Sequence, residues 1–469
     1  MMNTRLLIMV CTLSVGVFSA SASYAADSAP SGQTDASQER FLDIQDVQSP
    51  NGLHAWLVED HTLPIIALKF AFKDAGSAQE TPEKQGLSLL VASTMDEGAG
   101  DYDSQAFQKA LNDNSISLSF GGSRDSFNGN LTTLTRHKEK AYELLELALN
   151  KPRFDQEALE RMRASRLTSL RNSMTDPDWI AARIMYDVAF KGHPYALNRG
   201  GTFKSLESIT TDDLHSFKNN QLSQDRLYVS AVGDITSEEL GVLLDRLFGD
   251  LPKSPTNAKD VPDTALQNGG KTYLYVKDIP QTILEIQQPG IDRHDPDYFT
   301  AQIMNFILGG SGFGSRLTEE IREKRGLTYG VYSGFDFMDH ADILSVGSST
   351  KNETAGEEIK LIKQEWARMR NEPVTDKELA DAKSYLIGSM PLSLSSTGKI
   401  AGLMLSLMLD GMPIDYMDTR KDKLNAVTVD DVQRVAKKVL NPDNLTVVLV
   451  GKPEHVTVTD TITTLPNVE

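Results

Sequence analysis

A stretch of 25 residues occurs twice in this chain. Residues 209–233 (ITTDDLHSFKNNQLSQDRLYVSAVG) align without a gap on residues 427–451 (VTVDDVQRVAKKVLNPDNLTVVLVG) at an offset of 218, with nine positions identical and apolar residues opposite apolar ones at most others. In both copies Thr-x-Asp-Asp caps an amphipathic helix, and a polar turn around Asp225 or Asp443 leads into an apolar strand, 227–232 or 445–450. A weaker echo sets the helix starting near Asp155 opposite the one starting near Thr375 at nearly the same offset. A duplication on this scale predicts two halves of like topology. The chain of 469 residues is long enough for both, because single cores stop growing near ~250 to 300 residues. Residues 253–271 are rich in Pro, Asn, Asp and Gly, a linker composition, so the halves are taken as 41–252 and 272–469.

Each half begins with strands and continues with long helices. In the first, residues 52–58 and 64–73 read as strands, the segment from Gly86 as a helix, 115–120 and 127–134 as strands, and 138–150 and 156–172 as helices. This order predicts an α+β class: in each half a largely antiparallel sheet with helices packed on one face. The sheets' other faces are then expected to line a shared concavity.

The N-terminus reads as a secretory signal over 1–25. Arg5 is its one charge, residues 6–19 are its apolar core, and Ser23-Tyr24-Ala25 offers small residues for cleavage. That core is short of the roughly 20 residues a membrane span needs, so no stable membrane anchor is expected. Residues 26–40 have a disordered, polar composition. An exported, periplasmic protein is the expectation. The single cysteine, Cys11, lies inside the signal, which leaves the mature chain without a disulfide, a thiolate metal site or a cysteine nucleophile. The formal charge of −18 becomes more negative once Arg5 is removed, and it argues against nucleic acid as a partner.

Several marks occur in a specific order. They are Gly86-Leu87 at a helix start; Gly192-His193-Pro194-Tyr195 followed by Gly200-Gly201 and Ile209-Thr210; the repeated Asp-Asp helices; Leu308-Gly309-Gly310 running into Ser315-Arg316-Leu317; and Arg322-Glu323-Lys324-Arg325-Gly326-Leu327-Thr328-Tyr329. With these the chain resembles the pitrilysin/insulinase family of inverted zincins, in the short form similar to mitochondrial processing peptidase subunits. The resemblance covers nearly all of the mature chain and implies a LuxS/pitrilysin-like metalloenzyme fold. Active members carry His-x-x-Glu-His on the first helix, where two imidazoles bind Zn²⁺ and the Glu activates water. The corresponding positions here are Leu89, Ala92 and Ser93. The third ligand, a Glu on a later helix, corresponds to Ser169 or Leu170, and no acidic residue lies between Glu160 and Asp176. No cofactor is therefore expected in this chain.

No other histidine set replaces the lost ligands, since none of the eight histidines pairs with another at i, i+3 or i, i+4. His193, placed before Pro194, is read as structural. The run Gly309-Gly310-Ser311-Gly312-Phe313-Gly314 lacks the Lys-Ser/Thr of a phosphate loop and any βαβ context, and it reads as a turn.

The second half does match active relatives at Arg322 and, seven residues on, Tyr329. The resemblance implies that this pair reaches a peptide bound near zinc, where a guanidinium and a phenol stabilise charge on the carbonyl oxygen. Taken locally, the same two residues are one more charge on a helix 318–325 and a strand tyrosine like Tyr332. Arg316, Lys324 and Arg325 read as structural or solvated. The implied function is a zinc-free subunit that pairs with a homologous zinc-bearing peptidase subunit, the two closing as a clamshell around short unfolded peptides. A non-enzymatic peptide binder and a purely structural subunit remain as alternatives.

Overall fold

The computed structural model describes residues 40–310 and 314–469; the expected signal with Cys11, residues 26–39 of the leader, and Ser311, Gly312 and Phe313 of the Gly-rich turn lie outside the described residues. The first half runs β1 (Gln45–Gln48), β2 (His54–Glu59), β3 (Ile65–Lys73), α1 (Leu87–Thr94), α2 (Ser104–Asp113), β4 (Ser117–Gly122), β5 (Ser126–Leu134), α3 (Lys138–Asn150), α4 (Gln156–Ser173), α5 (Pro177–Ala189), α6 (Phe203–Ser208), α7 (Thr211–Gln221), β6 (Leu227–Gly233) and α8 (Ser237–Phe248). The second runs β7 (Thr272–Val276), β8 (Gln281–Pro289), α9 (Tyr298–Asn305), β9 (Thr328–Met338), β10 (Ala341–Lys351), α10 (Ala355–Asn371), α11 (Asp376–Gly388), α12 (Met390–Ser393), α13 (Thr397–Leu409), α14 (Tyr416–Ala426), α15 (Val429–Val439), β11 (Thr446–Gly451) and β12 (Asp460–Thr461).

The repeat extends over five of the six strands of each sheet. Strand orders are β1-β2-β6-β3-β5-β4 and β12-β7-β11-β8-β10-β9, six strands each. Position by position, β2, β3, β4, β5 and β6 match β7, β8, β9, β10 and β11. Pairings are antiparallel except β2 with β6, β7 with β11 and β7 with β12. The duplicated helices α7 and α15 start with the same reciprocal cap: Thr210 with Asp213, and Thr428 with Asp431.

The faces expected to line an open concavity are covered instead, each by a helix of the opposite half. The reason is legible in β3, IIALKFAFK. Ile66, Leu68, Phe70 and Phe72 face the first half's own core, while Ala67 and Ala71 on the reverse face are buried as well. That reverse face alternates the small Ala67 and Ala71 with Lys69 and Lys73, so a helix can pack close to it through both apolar and polar contacts. Helix α13 supplies the cover: Ala401 and Met404, both fully buried, cluster with Ile44, Ala67 and Val232. Two polar contacts fix it there. Ser230 Oγ donates to the Ala401 carbonyl at 2.8 Å, and Lys73 Nζ donates to the Leu409 carbonyl at 2.9 Å, placing a cation at the helix C-terminus. Reciprocally, α5 buries Ile180, Ile184, Met185 and Val188 in one cluster with Tyr273, Ile343, Val448 and Val450 of the second sheet.

Residues 253–271 form no helix or strand, but backbone contacts tie them to the first half. Lys259 N–H donates to Gln79 Oε1 at 2.8 Å, and Gln267 N–H donates to the Ala189 carbonyl at 2.8 Å. The C-terminal tail also returns to the first half: Phe203 N–H donates to the Val468 carbonyl at 2.9 Å, and Val468 is 2% exposed. Phe41 N–H in turn donates to Asp418 of α14 at 2.7 Å. Phe41–Glu469 is accordingly one compact unit. Among the described residues no single helix is long and apolar enough to cross a membrane.

Candidate functional site

Helix α1 is anchored by groups other than a metal. Gly86 caps it with φ +87°, a left-handed conformation that favours glycine, and a Cβ there would lie 2.9 Å from Gly201 Cα. The Gly200-Gly201 mark therefore has a physical reason, because this loop passes directly against the helix start. Glu80, 6% exposed, accepts from Gly86 N–H and Ser88 N–H, each at 2.7 Å, satisfying two of the donors a helix N-terminus leaves free. Burial nevertheless pushes the Glu80 carboxyl up to about 7.

The three degenerate positions lie on this helix. Ala92 is 3% exposed, and Ser93 Oγ donates to the Leu90 carbonyl at 3.1 Å within the same turn. Leu89 lines a cavity of about 470 Å³ together with Ser169 and Leu170 of α4. The fold thus brings together the positions assigned to the first and third ligands. Their side chains are an isobutyl, a hydroxymethyl and a second isobutyl, which do not fit Zn²⁺. The rest of the lining fits it still less, because Arg124, Arg166, Arg183 and Arg199 all face this cavity. Among the described residues no group of three or more His, Cys, Asp or Glu is arranged to hold a metal ion.

His193 has the structural role expected. Its Nε2 donates to the Pro262 carbonyl at 2.9 Å and its Nδ1 accepts from Tyr195 N–H at 3.2 Å, which ties the linker to the first half. Burial holds its pKa below the usual range. Arg316 is structural too: 7% exposed, it makes a two-pronged pair with Glu378, the capping residue of α11, at 2.7 and 3.0 Å. Lys324 and Arg325 both pair with Glu320.

The segment expected as an α-helix over 318–325 is instead a π-helix over Thr318–Glu323, in which Lys324 N–H reaches back five residues to the Glu319 carbonyl at 3.0 Å. A second π turn, Phe306–Gly310, precedes it, and a Cβ on Gly309 would lie 2.4 Å from Ser333 Oγ of β9. The widened backbone and the missing side chain let this connection press against β9. Arg322 sits near the end of the π segment, with an ion pair to Glu323 at 3.5 Å. After the Gly326 turn, φ +62°, comes Tyr329 on the edge strand β9, 86% exposed beside the half-exposed Tyr332.

The arginine lining was not anticipated. Its signal was in α4, where the span between Glu160 and Asp176 holds Arg161, Arg163, Arg166 and Arg171 and no acid. Arg124, Arg183 and Arg199 join Arg166 only through the tertiary fold.

Two family profiles match the chain: one described as Insulinase (Peptidase family M16) over residues 66–202, and one described as Peptidase M16 inactive domain over residues 208–386. A Helicobacter pylori protein named non-peptidase homolog YmxG is 28% identical over 394 residues, covering 84% of this chain and 90% of its own length. A probable mitochondrial-processing peptidase subunit beta of Schizosaccharomyces pombe is 25% identical over 425 residues, covering 86% of this chain and 90% of its own length. Among solved structures, a peptidase M16 inactive domain from Pseudomonas fluorescens superposes with a TM-score of 0.81 at 29% identity, covering 89% of this chain and 99% of that one. With two matched sheets and family matches spanning both halves, the chain belongs to the insulinase family, peptidase family M16, and its α1 lacks His-x-x-Glu-His.

Proposed function

We propose that this chain is the zinc-free subunit of a two-chain peptidase, pairing with a homologous subunit that carries His-x-x-Glu-His and its zinc. In this arrangement Arg322 and Tyr329 act in trans on a short peptide held by the partner. The observation that carries the reading is Tyr329. A large aromatic 86% exposed on an edge strand contributes little to this chain's own core, and its phenol is free to meet a group outside the chain. An edge strand also offers unpaired backbone groups to which an extended peptide can add. The N-terminal signal-type segment supports a periplasmic location for the pair, which fractionation of the tagged full-length chain tests.

The functional test is co-expression with the zinc-bearing partner, followed by gel filtration, zinc analysis and peptide cleavage. Arg322→Ala and Tyr329→Phe are expected to leave assembly and zinc content unchanged and to lower kcat/KM by about 2.7 to 4 kcal/mol each, the cost typical of a lost oxyanion donor. Mutants that assemble normally and cleave at the wild-type rate remove this role. A non-enzymatic peptide-binding or structural role is the second reading, favoured by the name non-peptidase homolog borne by the Helicobacter pylori relative.

A further inference from the structure

The cavity beside Leu89 is unusual in its charge. In a chain with 65 acidic and 47 basic residues, four guanidiniums converge on one space, and among the described residues none of them has a carboxylate ion-pair partner. Their polar contacts go to backbone carbonyls instead. Arg166 Nη2 donates to Leu89 O at 3.3 Å, Arg199 Nη1 to Gly122 O at 3.5 Å, and Arg183 Nη1 to Leu197 O at 3.0 Å, with Arg183 Nη2 on Ala196 O. Arg124 lies over the Tyr186 ring, 3.8 Å from its centre. The Nε atoms of Arg124 and Arg183 are buried without any hydrogen-bond partner, and Arg183 as a whole is 5% exposed.

The nearest acids, Asp125, Asp187 and Asp336, act on Arg124 and Arg183 only from beyond ion-pair distance. Asp125 accepts from Tyr195 Oη at 2.6 Å and Asp339 N–H at 3.4 Å, and Asp187 accepts from Asn467 Nδ2 at 3.2 Å. Burial lowers the pKa of Arg124, Arg166 and Arg183, the last to about 10, and neighbouring guanidiniums depress all three further. Buried positive charge with no carboxylate at ion-pair distance is only weakly compensated and costly, so an anion entering here gains from these groups. A solvated basic face does not account for a guanidinium that is 5% exposed.

The remaining lining identifies the kind of anion. Leu89, Leu170, Trp179 and Ala182 form apolar wall beside the guanidiniums, and a volume of about 470 Å³ holds more than a bare ion. Arg166 and Arg199 each commit one nitrogen to a carbonyl, leaving further donors in the planar geometry that suits a carboxylate. We propose that the cavity standing where the family keeps its zinc binds the C-terminal carboxylate of a peptide, with the adjoining apolar side chain against Trp179 and Leu170. The former metal centre becomes a site that grips a peptide end. This inference needs no partner subunit, so failure of the pairing proposed above leaves its test unaffected.

The test uses the purified chain alone. Titration calorimetry compares acetyl-Ala-Ala-Leu as the free acid, the same peptide as its C-terminal amide, and inorganic phosphate, for the wild type and for Arg166→Gln and Arg199→Gln. Both substitutions are at groups in contact with solvent, and unchanged melting temperatures verify their folding. The free acid is expected to bind, the amide at least about tenfold more weakly, and each variant to weaken the acid about tenfold while leaving the amide unchanged. Phosphate is expected to compete. Equal binding of acid and amide, acid binding indifferent to both substitutions, or binding of phosphate without the peptide would each overturn the assignment.

Discussion

Met404→Ala tests whether the two halves stand or fall together. The side chain belongs by sequence to the second half, yet it is fully buried against Ala67 and Val232 of the first sheet. Full burial of a methionine stabilises by roughly 1.5 to 3 kcal/mol. Truncation adds the cost of a cavity, and the small neighbours Ala67 and Ala401 cannot extend to fill it. The expected loss is about 3 kcal/mol, within the usual range for a core Met→Ala change. The assay is urea unfolding in two single-tryptophan backgrounds, one keeping Trp56 beside this contact and the other keeping Trp366, fully buried in the second half's core. With each sheet covered by a helix of the other half, both probes should report one transition, shifted by the same amount. A variant in which one probe moves and the other keeps its wild-type midpoint refutes the interlocked description, because independent halves unfold independently.

Further outcomes follow from the site and its charges. The isolated chain, dialysed and analysed for metal, is expected to retain no stoichiometric zinc and to cleave no peptide; about one tightly held zinc per chain would contradict the ligand assignment. Introducing His, Glu and His at Leu89, Ala92 and Ser93 is expected to give no peptidase comparable to a natural pair, since Ser169 and Leu170 supply no third ligand and the Arg166 guanidinium contacts Leu89 at 3.3 Å. Burial raises Glu80 and Glu285 from 4.5 to about 7. Between those values the folded state holds protons the unfolded state has lost, so stability should fall as pH rises from 5 to 7.5, and Glu80→Gln should flatten that slope in urea titrations. At the acid end Asp297 works in the opposite sense. Arg434 holds it down to about 2 from 3.8, so its contribution is present above 3.8 and should disappear as pH drops toward 2.

The duplication was legible because a capped helix and an apolar strand leave period and capping signals in adjacent residues, as Thr210-Asp213 and Thr428-Asp431 do. The loss of metal ligands was legible because it concerns residue types at a fixed local spacing. What escaped were matters of tertiary assembly. The apolar run of β11 already demanded cover on both faces, but not which helix would supply it. Likewise Arg124, Arg166, Arg183 and Arg199 are scattered over 76 positions, and nothing local announces that a hairpin, two helices and a loop deliver them to one cavity. The π turns escaped for a different reason. Thr318–Glu323 has ordinary helical periodicity, and no residue in it signals a five-residue hydrogen-bond reach.

Chain growth has a direction, and the covering of the first sheet runs against it. Residues 41–252 are made before the second half, yet the sheet they form lacks α13 until residue 409 is made. While residues 253–409 are being made, this half must wait with that sheet face uncovered, a state prone to aggregation. The first half is thereby committed to closing only once most of the second has been made, and removal of α13 should harm the part of the protein made before it.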